Sequence, residues 1–394
     1  MKSTDIIIIG GGMVGLALAG LLKNTACQLT IIEKAPPQWD LSQISNRVSA
    51  INARSEQMLN EIGAFEKIQL ERRSPYQKMF VWEKDSFANI EFDNHDPAIQ
   101  QLGLDQLGFI LENQQIQHAL WQTVSEQPNV AFIYATPQSL GISDNGVFLT
   151  LDNGEMLSAK LLVGADGANS WVRNQTKIPL TSRDYQHTAL VCNVKTAEPH
   201  QQTARQIFAP DSILAFLPLP DPHQCSIVWS LPPEQAVGLS KINEQAFNQA
   251  LTVAFDNRLG LCEVQGERAI YPLTARYARD FAQNRVALIG DAAHTIHPLA
   301  GLGVNLGFAD AICLANEIKR IHQQGQDIGE YRHLRAFERQ RKAEAVKVLT
   351  AMEALKQLFS GDFPLKKLLR GVGLSATNQL PFVKKWLIEQ AVGI

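Results

Sequence analysis

The chain has 394 residues, 45% hydrophobic and 19% charged, enough to bury a large core and, on length alone, about two or three structural domains. That composition excludes disorder, a collagen-like repeat and a small disulfide scaffold. With 36 basic and 39 acidic residues the net charge is −3, so no global field exists to hold nucleic acid or an anionic membrane, and any membrane contact must be local. In chain order, Asp5–Ile9 is a β-branched run fit for a parallel strand, Met13–Lys23 a helix, and Gln28–Glu33 a second strand ending in an acid. Together they make a βαβ unit. The uncharged run Ile6–Leu22 imitates a signal peptide or short membrane span, but Gly10, Gly11, Gly12, Gly15 and Gly20 within it fit a strand, tight turn and helix better.

Ser55–Ile62 and Gln114–Ser125 read as helices, and Val130–Tyr134, Gly146–Leu151 and Lys160–Val163 as strands, with a hairpin turn at Asp152-Asn153-Gly154. From about Thr181 to Tyr271 the pattern changes to alternating strands such as Ala189–Lys195 and Ser226–Ser230, joined by proline-rich connections at Pro218, Pro220, Pro222, Pro232 and Pro233. Val286–Ile289 restores a buried parallel strand and Val304–Gln323 a helix; Ile328 onward is helical, with breaks near Gly361 and Gly371. The expected fold is α/β: a Rossmann-type dinucleotide-binding domain interleaved with a mostly antiparallel β-sheet substrate domain, plus C-terminal helices. The bounds are 1–75, 100–180 and 275–325 for the first, 76–99 and 181–274 for the second, and 326–394 for the helical region. Five cysteines, Cys27, Cys192, Cys225, Cys262 and Cys313, are scattered without a C-x-x-C pair, which reads as structural thiols in a reducing cytoplasm.

Three strand-anchored motifs carry chemistry. Gly10-Gly11-Gly12-Met13-Val14-Gly15 is a G-x-G-x-x-G between a strand and a helix. Gly10 permits the turn, Gly12 lets a pyrophosphate approach the backbone, Gly15 allows close helix–strand packing, and the helix start supplies amide donors. Glu33, closing the second strand, suits ribose hydroxyls and favours FAD or NAD over NADP. The second motif is Gly290-Asp291 after Val286–Ile289, continuing through His294, His297, Pro298, Gly301, Leu302 and Gly303 to Val304-Asn305. Its carboxylate suits a polyol hydroxyl, and the glycines before Val304 expose amides at a helix start. The third is Gly164-Ala165-Asp166-Gly167-Ala168-Asn169-Ser170-Trp171-Val172-Arg173. His294 reads as a buried, hydrogen-bonded structural residue and not a metal ligand; no Cys or carboxylate pair completes a shell. Trp82, Phe216 and Trp229 read as core, and Tyr185, Gln186 and His187 as core and surface positions of the second sheet.

Taken together the three motifs resemble the class A flavoprotein aromatic hydroxylases, and more closely the ubiquinone-biosynthesis hydroxylases of the UbiH/UbiF/VisC type. Arg47-Val48-Ser49-Ala50-Ile51-Asn52, Glu112-Asn113 and the run Leu288–Pro298 carry that match; Leu214–Leu219 and Phe255–Cys262 look like the VisC branch and mark lineage, not flavin binding. One departure stands out: Gly301-Leu302-Gly303 replaces the family's usual Gly-Gln-Gly.

The resemblance implies one non-covalent FAD, NADPH or NADH as transient electron donor, and O₂. A flavin C4a-hydroperoxide would hydroxylate the ring of a polyprenylated phenol, at C5 by the VisC likeness. It further implies that Gly12 and Val14 face the pyrophosphate, Glu33 the adenosine ribose, Arg47 the flavin-side phosphate or ring, and Asp291 the ribityl chain. Asn113 joins the cofactor set; Pro298, Gly301, Gly303, Val304 and Asn305 would line the isoalloxazine; Asp166 and Arg173 would serve the FAD edge and NADPH handling, with a structural ion pair as the alternative for Arg173. Other ubiquinone-biosynthesis proteins are implied partners, and a homo-oligomer stays open. So do two rival functions, hydroxylation of a small soluble aromatic and a non-catalytic flavoprotein scaffold. Phe363–Arg370 and Phe382–Ile388 mix lysines with bulky apolar residues, which fits either packing over the flavin domain or peripheral contact at the inner face of a membrane.

Overall fold

The architecture is that of a computed structural model, which describes residues 1–86, 89–101, 103–295 and 303–359, the last nine of these as backbone only. Its centre is a six-stranded sheet in the spatial order Ala282–Gln283, Val286–Leu288, Leu161–Gly164, Ile6–Ile9, Leu29–Glu33, Val130–Tyr134. Every neighbouring pair is parallel except the short edge strand Ala282–Gln283. A parallel sheet is covered on both faces, which is why Ile6-Ile7-Ile8-Ile9 carries no polar alternation and lies wholly inside. The helix Met13–Leu21 packs between Asn113–Ser125 and Gly303–Gln323, burying everything from Gly15 to Leu21.

The second sheet has eight strands, ordered His294–Thr295, Cys262–Ala278, Leu180–Thr196, Gln224–Leu231, Ser212–Pro218, Thr203–Ala209, Lys78–Glu83, Asn89–Asp93. All pair antiparallel except Lys78–Glu83 with Thr203–Ala209. Strand alternation divides it chemically. Leu190, Cys192, Val194, Ile227 and Trp229 pack with Phe247, Leu251 and Phe255 on one side, while Ala189, Val191, Val228 and Leu273 share the other. Smaller sheets complete the fold: Val48–Asn52, Gly108–Glu112 and Ser74–Tyr76 in one, and Lys2–Ser3 with three strands between Pro137 and Ala159 in another.

The α/β class with its interleaved sheets is therefore as read from the sequence, but the second sheet holds two differences. Helices Pro233–Lys241 and Glu244–Ala254 occupy a stretch that reads as strands and proline-rich connections. Pro233 sits in the first helical turn, where its missing N–H leaves nothing unsatisfied, and the Asn243 side chain caps the second helix by accepting from the Ala246 N–H at 2.8 Å. The other difference is length: Leu180–Thr196 and Cys262–Ala278 are 17 residues each, continuing through bulges at Asp184/His187 and Val191/Asn193. The last described helix is Tyr331–Phe359; the breaks near Gly361 and Gly371 and the segments Phe363–Arg370 and Phe382–Ile388 lie outside the described residues. Among the described residues no helix is long and apolar enough to cross a membrane. All five cysteines are buried and unpaired.

Candidate functional site: a dinucleotide cavity between two sheets

Topology gathers the three motifs. Ile6–Ile9, Leu161–Gly164 and Val286–Leu288 are consecutive parallel strands, so the loops at their carboxyl ends converge, bonded by Ala165 N–H to Ile9 O at 2.8 Å and Ile289 N–H to Gly164 O at 3.0 Å. In the first loop Gly10 has φ +108°, and a Cβ there would fall 2.4 Å from the Ala165 carbonyl oxygen; one at Gly15 would meet the Gly10 oxygen at 2.1 Å. Neither position tolerates a side chain. Gly12 caps the helix Met13–Leu21 with no side-chain bond and open space beside it, and no acid stands in the first turn. The helix thus presents unsatisfied amides to whatever lies in front. Glu33 ends its strand with one carboxylate oxygen accepting from Gly11 N–H at 2.6 Å and the other from Lys34 N–H at 2.9 Å.

The other two loops are stitched together by Arg173. Its buried guanidinium donates to the Ala292 and Ala168 carbonyls, both at 2.9 Å, joining the Asp166 loop to the Asp291 turn. Arg173, expected as a cofactor residue or half of an ion pair, stands outside the cavity lining with these two bonds to backbone oxygens. Asp166 accepts from the Val172 N–H at 3.1 Å and keeps its other oxygen buried without a partner. Asn305 is also placed differently, its amide donating to Ala50 O at 2.7 Å and accepting from Asn52 N–H at 3.2 Å. It clips the helix Gly303–Gln323 to the strand Val48–Asn52 behind the cavity wall.

The cavity, of about 630 Å³, runs between the two sheets. One wall is polar and carries Gly12, Val14, Arg47, Asn113, Asp291, Gly303 and Val304; the other is Ala189, Val191, Val228 and Leu273 from the antiparallel sheet, with Tyr271 and Arg276 at its margin. Gly10, Gly15 and Glu33 shape or flank the first turn without lining the cavity, and Pro298, Gly301, Leu302 and His297 lie outside the described residues. Asp291 has its carboxyl pKa raised by desolvation, against the pull of His294, Arg47 and Arg276. Arg47 stacks over Tyr271 at 5.3 Å.

Several working residues have no motif. The loop before Arg47 is held by a buried Arg72–Glu112 ion pair at 2.8 Å, with Glu112 accepting from Ser45 N–H at 2.6 Å and Arg72 donating to Gln43 O at 2.8 Å. Burial raises the Glu112 pKa, with Ser45 N–H and Arg72 opposing. From the other side, Asn193 donates to Ile44 O and Asn46 to Glu267 O. The Arg47 loop is thus tied to the small three-stranded sheet on one side and to the antiparallel sheet on the other. Asp310 and Arg341 were equally invisible as site residues; the one signal for Asp310 is a carboxylate inside the apolar run Leu306–Ala315.

An uncapped helix start, Gly10 and Gly15 that exclude a side chain, and the Asp291 carboxylate in the lining suit a pyrophosphate with a polyol, so the residues fit FAD. The fold and this cavity define an FAD-binding protein. An FAD binding domain family model matches residues 3–351. The mitochondrial ubiquinone biosynthesis monooxygenase COQ6 of Danio rerio is 35% identical, over 98% of this chain and 89% of its own length; the 3-demethoxyubiquinol 3-hydroxylase of Escherichia coli is 34% identical over 100% and 99%. The p-nitrophenol 4-monooxygenase PnpA of Pseudomonas putida shares the fold, with a TM-score of 0.80 at 18% identity across 100% of this chain and 99% of its own. The chain belongs to the FAD-binding-domain family and, within it, to the FAD-dependent hydroxylases of ubiquinone biosynthesis.

Proposed function

We propose that this enzyme hydroxylates the aromatic ring of a polyprenylated phenol, at ring position C5, as a step of ubiquinone biosynthesis. The observation that carries the reading is that one cavity combines Gly12, Arg47 and Asp291 with an aliphatic patch of Ala189, Val191, Val228 and Leu273. Bound FAD, reduced by NAD(P)H, supplies the electrons that activate O₂ and deliver one oxygen atom to the ring. Everything else falls to the chain. The Gly12–Val14 helix start binds phosphate through amides, Asp291 accepts hydroxyl hydrogen bonds, and Arg47, its loop held from two sides, offsets negative charge. Val191 and Val228, directly opposed across the ladder, keep water from the ring.

Ring position C5 rests on the VisC-like stretches Leu214–Leu219 and Phe255–Cys262, against a relative whose name specifies a 3-hydroxylase. The enzyme is placed in the cytoplasm, meeting the bilayer-borne substrate through its basic apolar C-terminal segments and working beside other proteins of the same pathway. Anaerobic stopped-flow with a prenylphenol tests substrate class: NADPH should bleach the flavin faster when the phenol is present. A rate indifferent to prenylphenol but raised by a small phenol would overturn the polyprenyl reading, and indifference to both would favour a scaffold. Mass spectrometry and NMR of the product formed in a hydroxylase-deletion strain carrying this gene then assign the ring carbon; oxygen at any other position rejects C5.

A further inference from the structure

We propose that Asp310 and Arg341 form a positioning pair through which the last described helix sets the geometry of the FAD site. Asp310, on the helix Gly303–Gln323, and Arg341, on the helix Tyr331–Phe359, are both 0% exposed, and neither lines the cavity. One Asp310 oxygen accepts from the Gly290 N–H at 2.9 Å and is bonded to His294 Nε2 at 2.6 Å; the other accepts from Arg341 Nε at 2.6 Å. Gly290 and His294 bracket Asp291, so a single carboxylate grips both ends of the turn that presents Asp291 to the cavity. The guanidinium also donates to Leu306 O at 3.3 Å, in the first turn of the helix whose start lines the cavity, and pairs with Glu344. One arginine therefore holds the two segments that face the cofactor.

A buried charge cluster of this kind is a poor source of stability, since an apolar replacement of equal volume does as well. What it provides is geometry: three donors from two separate segments, the 290–294 turn and the last described helix, meet on a carboxylate carried by a third, and each fixes the others. Phe308, Ala311, Leu314 and Phe337 form an apolar cluster in the same layer. There an Asp310 without Arg341 would be an uncompensated charge and would loosen its hold on Gly290 and His294. Burial alone would raise the Asp310 carboxyl, but His294 and Arg341 together leave it below its ordinary value.

The inference rests on FAD binding at this cavity and not on the substrate proposed above. Its test uses the full-length holoenzyme with Arg341→Met, Asp310→Asn and, as a packing control, Leu334→Ala, which removes a fully buried side chain from the same helix without touching the pair. Arg341→Met should raise the FAD Kd about tenfold, the scale of a lost charge-assisted hydrogen bond, and should shift the absorption maximum and midpoint potential of the flavin that stays bound. Arg341→Lys should recover part of both. Leu334→Ala should lower Tm while leaving Kd, spectrum and potential at wild-type values. Wild-type flavin properties in Arg341→Met, or equal changes in Leu334→Ala, would overturn the proposal. If Arg341→Met does not accumulate, Asp310→Asn decides in its place: an unshifted flavin potential in that variant rejects the pair.

Discussion

The two walls of the cavity are built on different principles. The parallel sheet offers backbone: three loops at the ends of adjacent strands, with Gly10 and Gly290 at positive φ and Gly15 packed against the Gly10 carbonyl. The antiparallel sheet contributes an aliphatic patch of Ala189, Val191, Val228 and Leu273, bordered by Tyr271, Thr274 and Arg276, whose contribution is shape and dryness. Backbone sites tolerate almost no side-chain change, whereas an aliphatic wall tolerates many and is sensitive chiefly to volume. Cofactor retention and substrate turnover should therefore separate by wall.

The largest effect expected is at Gly15. A Cβ 2.1 Å from a backbone oxygen cannot be relieved by a rotamer change, so Gly15→Ala should lose FAD altogether, at about 3 kcal/mol or more. A yellow, fully loaded Gly15→Ala would contradict a cofactor wall made of backbone. Next comes Val228→Trp, which fills the space opposite that wall. It should keep stoichiometric FAD but reduce turnover about a hundredfold through a displaced ring. Loss of FAD instead would show that the two walls are not independent.

The smallest effect sharpens the contrast. Asp291→Asn should weaken FAD binding by about 1–2 kcal/mol, measured by flavin release. The same substitution should stabilise the protein stripped of FAD. Because the folded carboxyl is raised above its unfolded value, folding stability declines as pH climbs from the unfolded range through the folded pKa, and the penalty is fully present only above the folded pKa. The Tm gain of Asp291→Asn should thus grow as pH rises and vanish below about pH 4. A gain that does not change with pH would remove desolvation of Asp291 as its cause.

The cofactor wall was legible because glycine and aspartate at the ends of buried strands serve few purposes besides holding a ligand, and because parallel strand order forces such ends together. For Arg173 and Asn305, motif spacing locates the loop but not the direction of a long or amide side chain, which here turns toward carbonyls of a neighbouring segment. The helices Pro233–Lys241 and Glu244–Ala254 were hidden behind prolines that punctuate a loop and start a helix equally well. The aliphatic wall left no trace at all, since Val191 and Val228 alternate with core residues such as Leu190 and Trp229 in the same way on both faces. Long-range ties such as Arg341 to Asp310 join residues whose separation carries no periodic signal.

The five sequestered cysteines bear on how long such a catalyst survives its own chemistry. Reduced flavin that meets oxygen without a ring to receive it releases hydrogen peroxide, and the first cysteines at risk are thiolates, not thiols. Burial pushes Cys262 and Cys313 up to about 11 and Cys192 to about 12, and raises Cys27 and Cys225 as well. At neutral pH each is protonated and walled off. The polypeptide thus offers its own by-product no thiolate to oxidise, and misfired cycles waste reductant without costing the enzyme its cysteines.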